Sequence, residues 1–117
     1  MKPSEIKRKR QASLLRELIS EAFGELADTR LHGLTVTDVD VKRGGYDADV
    51  YIDKSFYTTE EQKEILQALK RAEPIIRSFC LESSGWFKCP KLHFKFDELV
   101  EQQQRIEELF NKIKEEK

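Results

Sequence analysis

The sequence lacks any apolar run long enough to cross a membrane. A spanning helix needs about 20 consecutive apolar residues, whereas 37% of the 117 residues here are charged. The basic N-terminus is not followed by the apolar stretch that a secretory signal requires. We therefore expect a cytoplasmic protein without a membrane partner. The length suits one domain with a single core.

Cysteine and histidine are scarce, with two of each. Cys80 falls on the apolar side of a helical pattern, where a free cysteine behaves as a small core residue. The reducing conditions of a cytoplasm disfavour a disulfide between Cys80 and Cys89. Cys89 and His93 are four positions apart, but a structural zinc site needs two further ligands at suitable spacing. We expect no metal site and no cofactor.

Glycine is also sparse, with five residues, and the sequence contains no phosphate-binding loop. The stretch "RGGY" at 43–46 lacks the downstream lysine and hydroxyl residue of such loops. Asp47, Asp49 and Asp53 alternate along a predicted strand, where we expect them to solvate its outer face rather than bind magnesium. No nucleophile accompanies a suitable base. The sequence therefore argues against an enzyme.

Net charge is nearly absent, at −1, but the charges are unevenly distributed. Residues 1–16 carry +5, which leaves −6 for the rest of the chain. This asymmetry has two readings, a basic face that contacts phosphate or an ordinary solvated helix end. Charge alone leaves both readings open. The cations of this stretch are Lys2, Lys7, Arg8, Lys9, Arg10 and Arg16, opposed by Glu5 alone.

The first half of the chain predicts a helix followed by a strand. Apolar residues recur every three or four positions over 14–26, and the helix should end near Asp28. Residues 34–41 are rich in β-branched side chains and roughly alternate, which is typical of a strand. The alternation changes parity near Asp38. A β-bulge there, or burial of both faces, would produce this pattern.

A hairpin and a second strand follow. Residues 42–45, "KRGG", predict a turn, because paired glycines adopt the positive φ values that tight hairpins need. Residues 46–53 alternate cleanly, with Ala48, Val50 and Ile52 on one side. This is the clearest strand pattern of the chain.

The second half predicts further helices and a third strand. Thr59 and Gln62 have the spacing of a capping box that opens a helix. Pro74 interrupts the apolar stripe, and proline is best tolerated at the first position of a helix, so Pro74 should begin a third helix. Residues 91–96 alternate as a third strand, and Asp97 should cap a final helix.

These elements predict an α+β fold in two layers. The third strand follows a helical crossover, so it should lie parallel to an earlier strand in a three-stranded mixed sheet. The helices should cover one face of that sheet.

The break at Pro74 is a candidate binding feature. Basic residues bracket it, and the amides of a helix that starts there would be free to contact phosphate. The simpler reading is a plain joint between two helices with ordinary surface cations. The predicted kink comprises Ala72, Glu73 and Pro74, and the bracketing cations are Lys70, Arg71 and Arg77.

The order of elements resembles a type II KH domain, and particular motifs resemble the bacterial ribosome-binding factor A family. The Gly-x-x-Gly loop of most KH domains is absent, and Ala72 stands at the position of that family's alanine-centred kink. Glu73 and Pro74 depart from the family's small residue and glycine, and we expect the Glu73 charge to repel a phosphate at the kink. The matching stretches are "DTRLHGLTVTDVDV" (28–41), "ADVYID" (48–53), "ALKRAEPIIRSF" (68–79) and "CPKLHFKFD" (89–97).

The resemblance implies a non-catalytic ribosome assembly factor. Such a factor would bind the 16S rRNA of the immature small (30S) subunit, promote late maturation and rRNA processing, notably in the cold, and be linked functionally to an assembly GTPase. The KH-like RNA-binding domain would span 1–97, with a C-terminal helix over 98–117 that packs on the domain or extends from it. We expect a monomer.

The expected RNA contacts are electrostatic and lie in three groups. Recognition by shape and phosphate is favoured, because most phenylalanines have core spacing and few aromatics remain for base stacking. Two alternatives remain open: a general KH-type regulator of mRNA or small RNA, and a protein-interaction module that does not bind RNA. The candidate contacts are Lys7, Arg8, Lys9, Arg10 and Arg16 on the first helix, Lys42 and Arg43 in the hairpin, and Lys70, Arg71 and Arg77 around the kink.

Overall fold

The computed structural model describes residues 3–98 of the chain and contains two long helices and three strands. The predicted final helix after Asp97, and with it the proposed division at residue 98, lies outside the described residues. The elements are α1 (Pro3–Glu25), a 3-10 turn (Thr29–Leu31), β1 (Val36–Val41), β2 (Asp47–Ile52), α2 (Thr59–Ser84) and β3 (Lys91–Phe96).

The three strands form one mixed sheet in the order β1-β2-β3. β1 and β2 are antiparallel, and β3 lies parallel to β2 after the helical crossover, as the sequence predicts. α1 packs on β1, α2 packs on β3, and the two helices contact each other. The α+β architecture is therefore confirmed. Its core includes Leu15, Ile19, Phe23, Leu31, Val39, Val50, Ile52, Leu69, Ile76 and Leu92.

A β-bulge in β1 explains the change in alternation near Asp38. Val36 pairs with Ile52 and Asp38 pairs with Tyr51, so Thr37 is the extra residue of β1. The bulge turns both Val36 and Val39 towards the core, where each is buried. The Thr37 hydroxyl donates a hydrogen bond to Asp97 Oδ2 at 2.7 Å, which ties the bulge to the end of β3.

α2 runs without a break through Pro74, so the prediction that Pro74 begins a third helix is wrong. Its start is also displaced by one residue, because Thr58 rather than Thr59 is the N-cap and forms the capping box with Glu61. Pro74 is exposed, and the buried face of α2 continues on both sides of it, from Leu69 to Ile76. This packing keeps the helix continuous despite a local cost of about 3 kcal/mol for an internal proline.

Glu73 fastens α2 to the sheet. The residue is only 6% exposed, and Oε1 accepts a hydrogen bond of 3.1 Å from the Leu92 amide. The Lys91 amide already bonds to β2 through the Tyr46 carbonyl, so the Leu92 amide points to the opposite, free edge of β3. Arg77 Nε lies 3.3 Å from the same Glu73 oxygen. The expectation that Glu73 repels a phosphate is therefore corrected, since its charge is buried and paired.

Asp49 also departs from its predicted role as a solvated strand residue. It is 7% exposed, and Oδ2 lies 3.1 Å from Lys42 Nζ and 3.3 Å from Lys95 Nζ. Burial alone would raise the pKa of the Asp49 carboxyl, but hydrogen bonds from the two ammonium groups hold it below its ordinary value. The open face of the sheet thus has a charged centre that joins the hairpin turn to β3.

Replacement of Glu73 by alanine should lower the free energy of unfolding by about 1–3 kcal/mol, because the Leu92 amide loses its acceptor in a buried place. Glu73→Gln keeps an acceptor oxygen and should lose less. Chemical denaturation measures both, with the exposed helix substitution Gln67→Ala as a control. Equal stability of all three variants would contradict the role of Glu73.

Asp49→Asn should destabilise the protein by about 1–2 kcal/mol at pH 7 and by less at pH 3. The folded pKa of Asp49 lies below its unfolded value near 3.8, so its stabilisation is present above that value and is lost as pH falls through the folded pKa. Urea unfolding at both pH values tests this, with the exposed Glu82→Gln as the control. A difference from wild type that is as large at pH 3 as at pH 7 would contradict it.

Candidate nucleic-acid interface

The basic start of α1 offers cations that are not occupied by the protein itself. Lys7, Lys9, Arg10 and Arg16 are exposed, and Arg8 is half-buried. Within residues 3–98, no carboxylate forms an ion pair with any of these five side chains. Their charge is therefore available to an external anion.

The position of α1 brings this charge to one end of the sheet. Arg8 and Lys9 line a cavity of about 240 Å³ together with Val39, Asp40 and Val41, the last residues of β1. The hairpin turn follows directly on Val41. The start of α1 and the hairpin therefore lie at the same end of the molecule.

The hairpin turn has the geometry that its two glycines predict. Gly44 and Gly45 have φ values of 94° and 75°, and the Gly45 amide donates to the Lys42 carbonyl at 2.9 Å. Lys42 Nζ lies 2.8 Å from Asp40 and 3.1 Å from Asp49. Hydrogen bonds to these two carboxylates raise the pKa of Lys42. Lys42 thus forms ion pairs with carboxylates of β1 and β2, whereas Arg43 is exposed at the tip of the turn.

The link between α2 and β3 joins the hairpin at this end. Gly85 ends α2 with a φ of 74°, and the Lys91 amide donates to the Tyr46 carbonyl at 2.9 Å. Lys88 Nζ lies 5.5 Å from the centre of the Tyr46 ring, within the range of a cation–π contact. We call residues 42–46 and 85–91 together the hairpin end.

Two aromatic side chains at the hairpin end are candidates that the sequence reasoning missed. Tyr46 is 69% exposed and Phe87 is fully exposed. The expectation that few aromatics remain for base stacking is therefore revised by these two residues. The sequence contains a signal for this exposure. Trp86 and Phe87 are adjacent in a link without periodicity, so when one of them packs on the core the other is expected to face solvent.

The residues around Pro74 are separated by the structure into different roles. Lys70 and Arg71 are exposed, and Lys70 lines a groove of about 420 Å³ with Lys91, His93 and other residues of β3. Arg77 is half-buried and paired with Glu73. Because α2 is continuous, no free helical amides exist at Pro74, which removes the basis for a phosphate contact through them.

His93 and Asp53 are engaged in local contacts. His93 Nε2 lies 2.8 Å from Asp47 Oδ1 on the neighbouring strand, and Asp53 accepts hydrogen bonds from Ser55. Residues 3–98 contain no group of three or more His, Cys, Asp or Glu side chains placed to hold a metal ion. Over the same residues, neither helix combines the length and the apolar character of a membrane span.

The sequence matches the family model described as ribosome-binding factor A over residues 7–110. Among curated relatives, a ribosome-binding factor A of Campylobacter jejuni is 48% identical over 117 residues, which cover all of this chain and 98% of the relative.

Solved structures agree with this match. The crystal structure of ribosome-binding factor A from Thermus thermophilus superimposes with a TM-score of 0.65 at 27% identity, covering 75% of this chain and 93% of that one. A homology model of the Thermus thermophilus protein fitted into a cryo-EM map of a 30S–RbfA complex gives 0.61 at 28% identity, with coverage of 74% and 91%. With the fold, the family model and a full-length relative in agreement, this chain belongs to the ribosome-binding factor A family.

Proposed function

We propose that this protein binds the immature small ribosomal subunit through its 16S rRNA and promotes late maturation, including 16S rRNA processing. The observation that carries the proposal is the group of cations on α1, which form no ion pair within residues 3–98 and lie towards the same end of the molecule as the exposed aromatics of the hairpin end. Membership of the ribosome-binding factor A family and the 30S complex of the Thermus thermophilus relative support the same partner.

The proposed contact combines two kinds of interaction. Lys7, Arg8, Lys9, Arg10 and Arg16 with Arg43 contact phosphates, which accounts for affinity and orientation without reading sequence. Tyr46 and Phe87 stack on unpaired bases, a contact that tolerates any base. Lys70 and Arg71 extend the phosphate-binding surface along α2. Lys42 and Arg77 are held in ion pairs with carboxylates of the protein and stabilise the elements that carry this surface. The protein acts as a monomer, without catalysis.

The setting of this activity follows from the proposed partner. A factor that acts on an immature subunit works in the cytoplasm, and it must leave before the subunit enters translation. A functional link to an assembly GTPase would supply that release. Maturation in the cold is the condition under which we expect loss of the protein to matter most.

Reversal of Lys7, Arg8 and Arg10 to glutamate should weaken binding to purified small subunits and reduce the slope of log affinity against log salt by about 2–3. Each reversed side chain loses a phosphate contact and the counterion release that accompanies it. Co-sedimentation with small subunits on sucrose gradients over a salt series measures both. The variant Lys63→Glu, an exposed site on α2, is the control for a change of charge.

Other outcomes of this experiment have defined meanings. Unchanged affinity and salt slope in the triple variant would overturn the assignment of α1. Equal affinity of the wild-type protein for short single-stranded RNA would favour a general KH-type regulator. Absence of the wild-type protein from every ribosomal fraction would favour a protein-interaction module.

Phe87→Ala should weaken binding by about 1 kcal/mol or more without a change in the salt slope, because stacking on a base does not release counterions. Tyr46→Ala should act in the same direction. Phe56→Ala is a matched control, since Phe56 is 84% exposed but lies after β2, at the opposite end of the sheet. Equal losses from Phe56→Ala and Phe87→Ala would contradict a role for the hairpin end.

A further inference from the structure

The two cysteines meet at the junction of α2 and the link to β3. Cys80 lies on the buried face of α2 with no exposed surface, and Cys89 is half-buried against the same core. The two thiols are close enough to interact, and each shifts the pKa of the other. Both are free thiols in this structure.

The contact between Glu73 and Leu92 places the two cysteines at the same level of the fold. From Glu73, Cys80 lies seven residues along α2, which corresponds to about 10 Å at a helical rise of about 1.5 Å per residue. From Leu92, Cys89 lies three residues back towards the link, which corresponds to at most about 10 Å at about 3.3 Å per residue. Because α2 and β3 run in opposite directions, the two distances bring Cys80 and Cys89 to the same level.

The surroundings make the two thiols chemically different. The hydrogen bond from Cys80 lowers the pKa of the Cys89 thiol, and the Arg77 guanidinium acts in the same direction, against burial and the Glu73 carboxylate. The hydrogen bond to Cys89 and burial in the core both raise the pKa of Cys80. Cys89 is also the more accessible of the two, since Cys80 has no exposed surface, so Cys89 is the nucleophilic thiol.

We propose that Cys89 and Cys80 form a peroxide-reactive thiol pair, in which Cys89 is the site of oxidation and Cys80 resolves it to a reversible disulfide. Hydrogen peroxide is the oxidant. The thiol pair is separate from the hairpin aromatics and from the cations of α1, so the proposal does not depend on the function proposed above.

The reaction proceeds in two balanced steps. The Cys89 thiolate attacks one oxygen of hydrogen peroxide, an S–O bond forms, the O–O bond breaks, and the departing hydroxide takes a proton to become water. The Cys80 thiol then loses its proton and attacks the Cys89 sulfur. The S–S bond forms as the S–O bond breaks, and hydroxide leaves and combines with that proton as a second water. The two thiols are oxidised by two electrons, and one peroxide is reduced.

The full-length protein, reduced and then freed of reductant, is treated with hydrogen peroxide and digested with trypsin without reduction. Trypsin cleaves after Arg77, Lys88 and Lys91, so the disulfide appears as peptide 78–88 joined to peptide 89–91. Treatment with dithiothreitol should separate the two peptides again. Free thiols at both positions after prolonged treatment, or disulfides only between molecules, would overturn the proposal.

Single variants test the division of roles. In Cys80→Ala, Cys89 should accumulate as a sulfenic acid that dimedone traps, whereas in Cys89→Ser, Cys80 should stay reduced at the same peroxide concentration. Equal reactivity of the remaining cysteine in both variants would overturn the assignment.

A charge variant tests the environment of Cys89. Arg77→Gln should slow oxidation of Cys89 by about two- to fivefold, because less of the thiol is ionised. Arg71→Gln removes an exposed arginine from the same helix and should leave the rate unchanged. An unchanged rate in Arg77→Gln would overturn the part assigned to Arg77.

Discussion

The hydrogen bond between the Glu73 carboxylate and the Leu92 amide determines how the helical layer sits on the sheet. It joins the middle of α2 to the free edge of β3, where an unpaired strand would otherwise expose its amides. The same carboxylate pairs with Arg77, one turn further along α2. It also sets the level at which Cys80 and Cys89 meet. The buried Glu73 side chain thus holds α2 against β3, covers an amide at the edge of β3, and sets the level of the two cysteines.

The parts of the fold that follow from local pattern could be predicted from the sequence. Ala48, Val50 and Ile52 alternate because only one face of β2 is covered, and the parity change near Asp38 records a real bulge. The break at Pro74 could not be judged in this way. The rule that proline ends a helix is local, whereas the packing that overrides it comes from residues of α1 and β3 that are distant in sequence.

The candidate site also has features that could be predicted from the sequence and features that depend on tertiary contacts. The cations of α1 are visible in the sequence as a charge asymmetry, because a helix of this length keeps neighbouring charges together. The roles of Asp49 and Glu73 are not visible, since each is a carboxylate in a polar context until partners from other elements bury it. The exposure of Tyr46 and Phe87 likewise depends on how two links meet at one end of the sheet.

The mixed sheet has a consequence for the order of folding. Across the hairpin, Val41 pairs with Ala48, only seven residues away, whereas Asp47 of β2 pairs with Lys91 of β3 across 44 residues. Closing the longer loop costs about 1.6 kcal/mol more in chain entropy. The hairpin can therefore form while α2 is still being assembled, and β3 joins only after α2 has spanned the gap. During synthesis from the N-terminus, β3 is the last of the described strands to be made. The slow pairing of β3 with β2 therefore also involves the strand that is synthesised last.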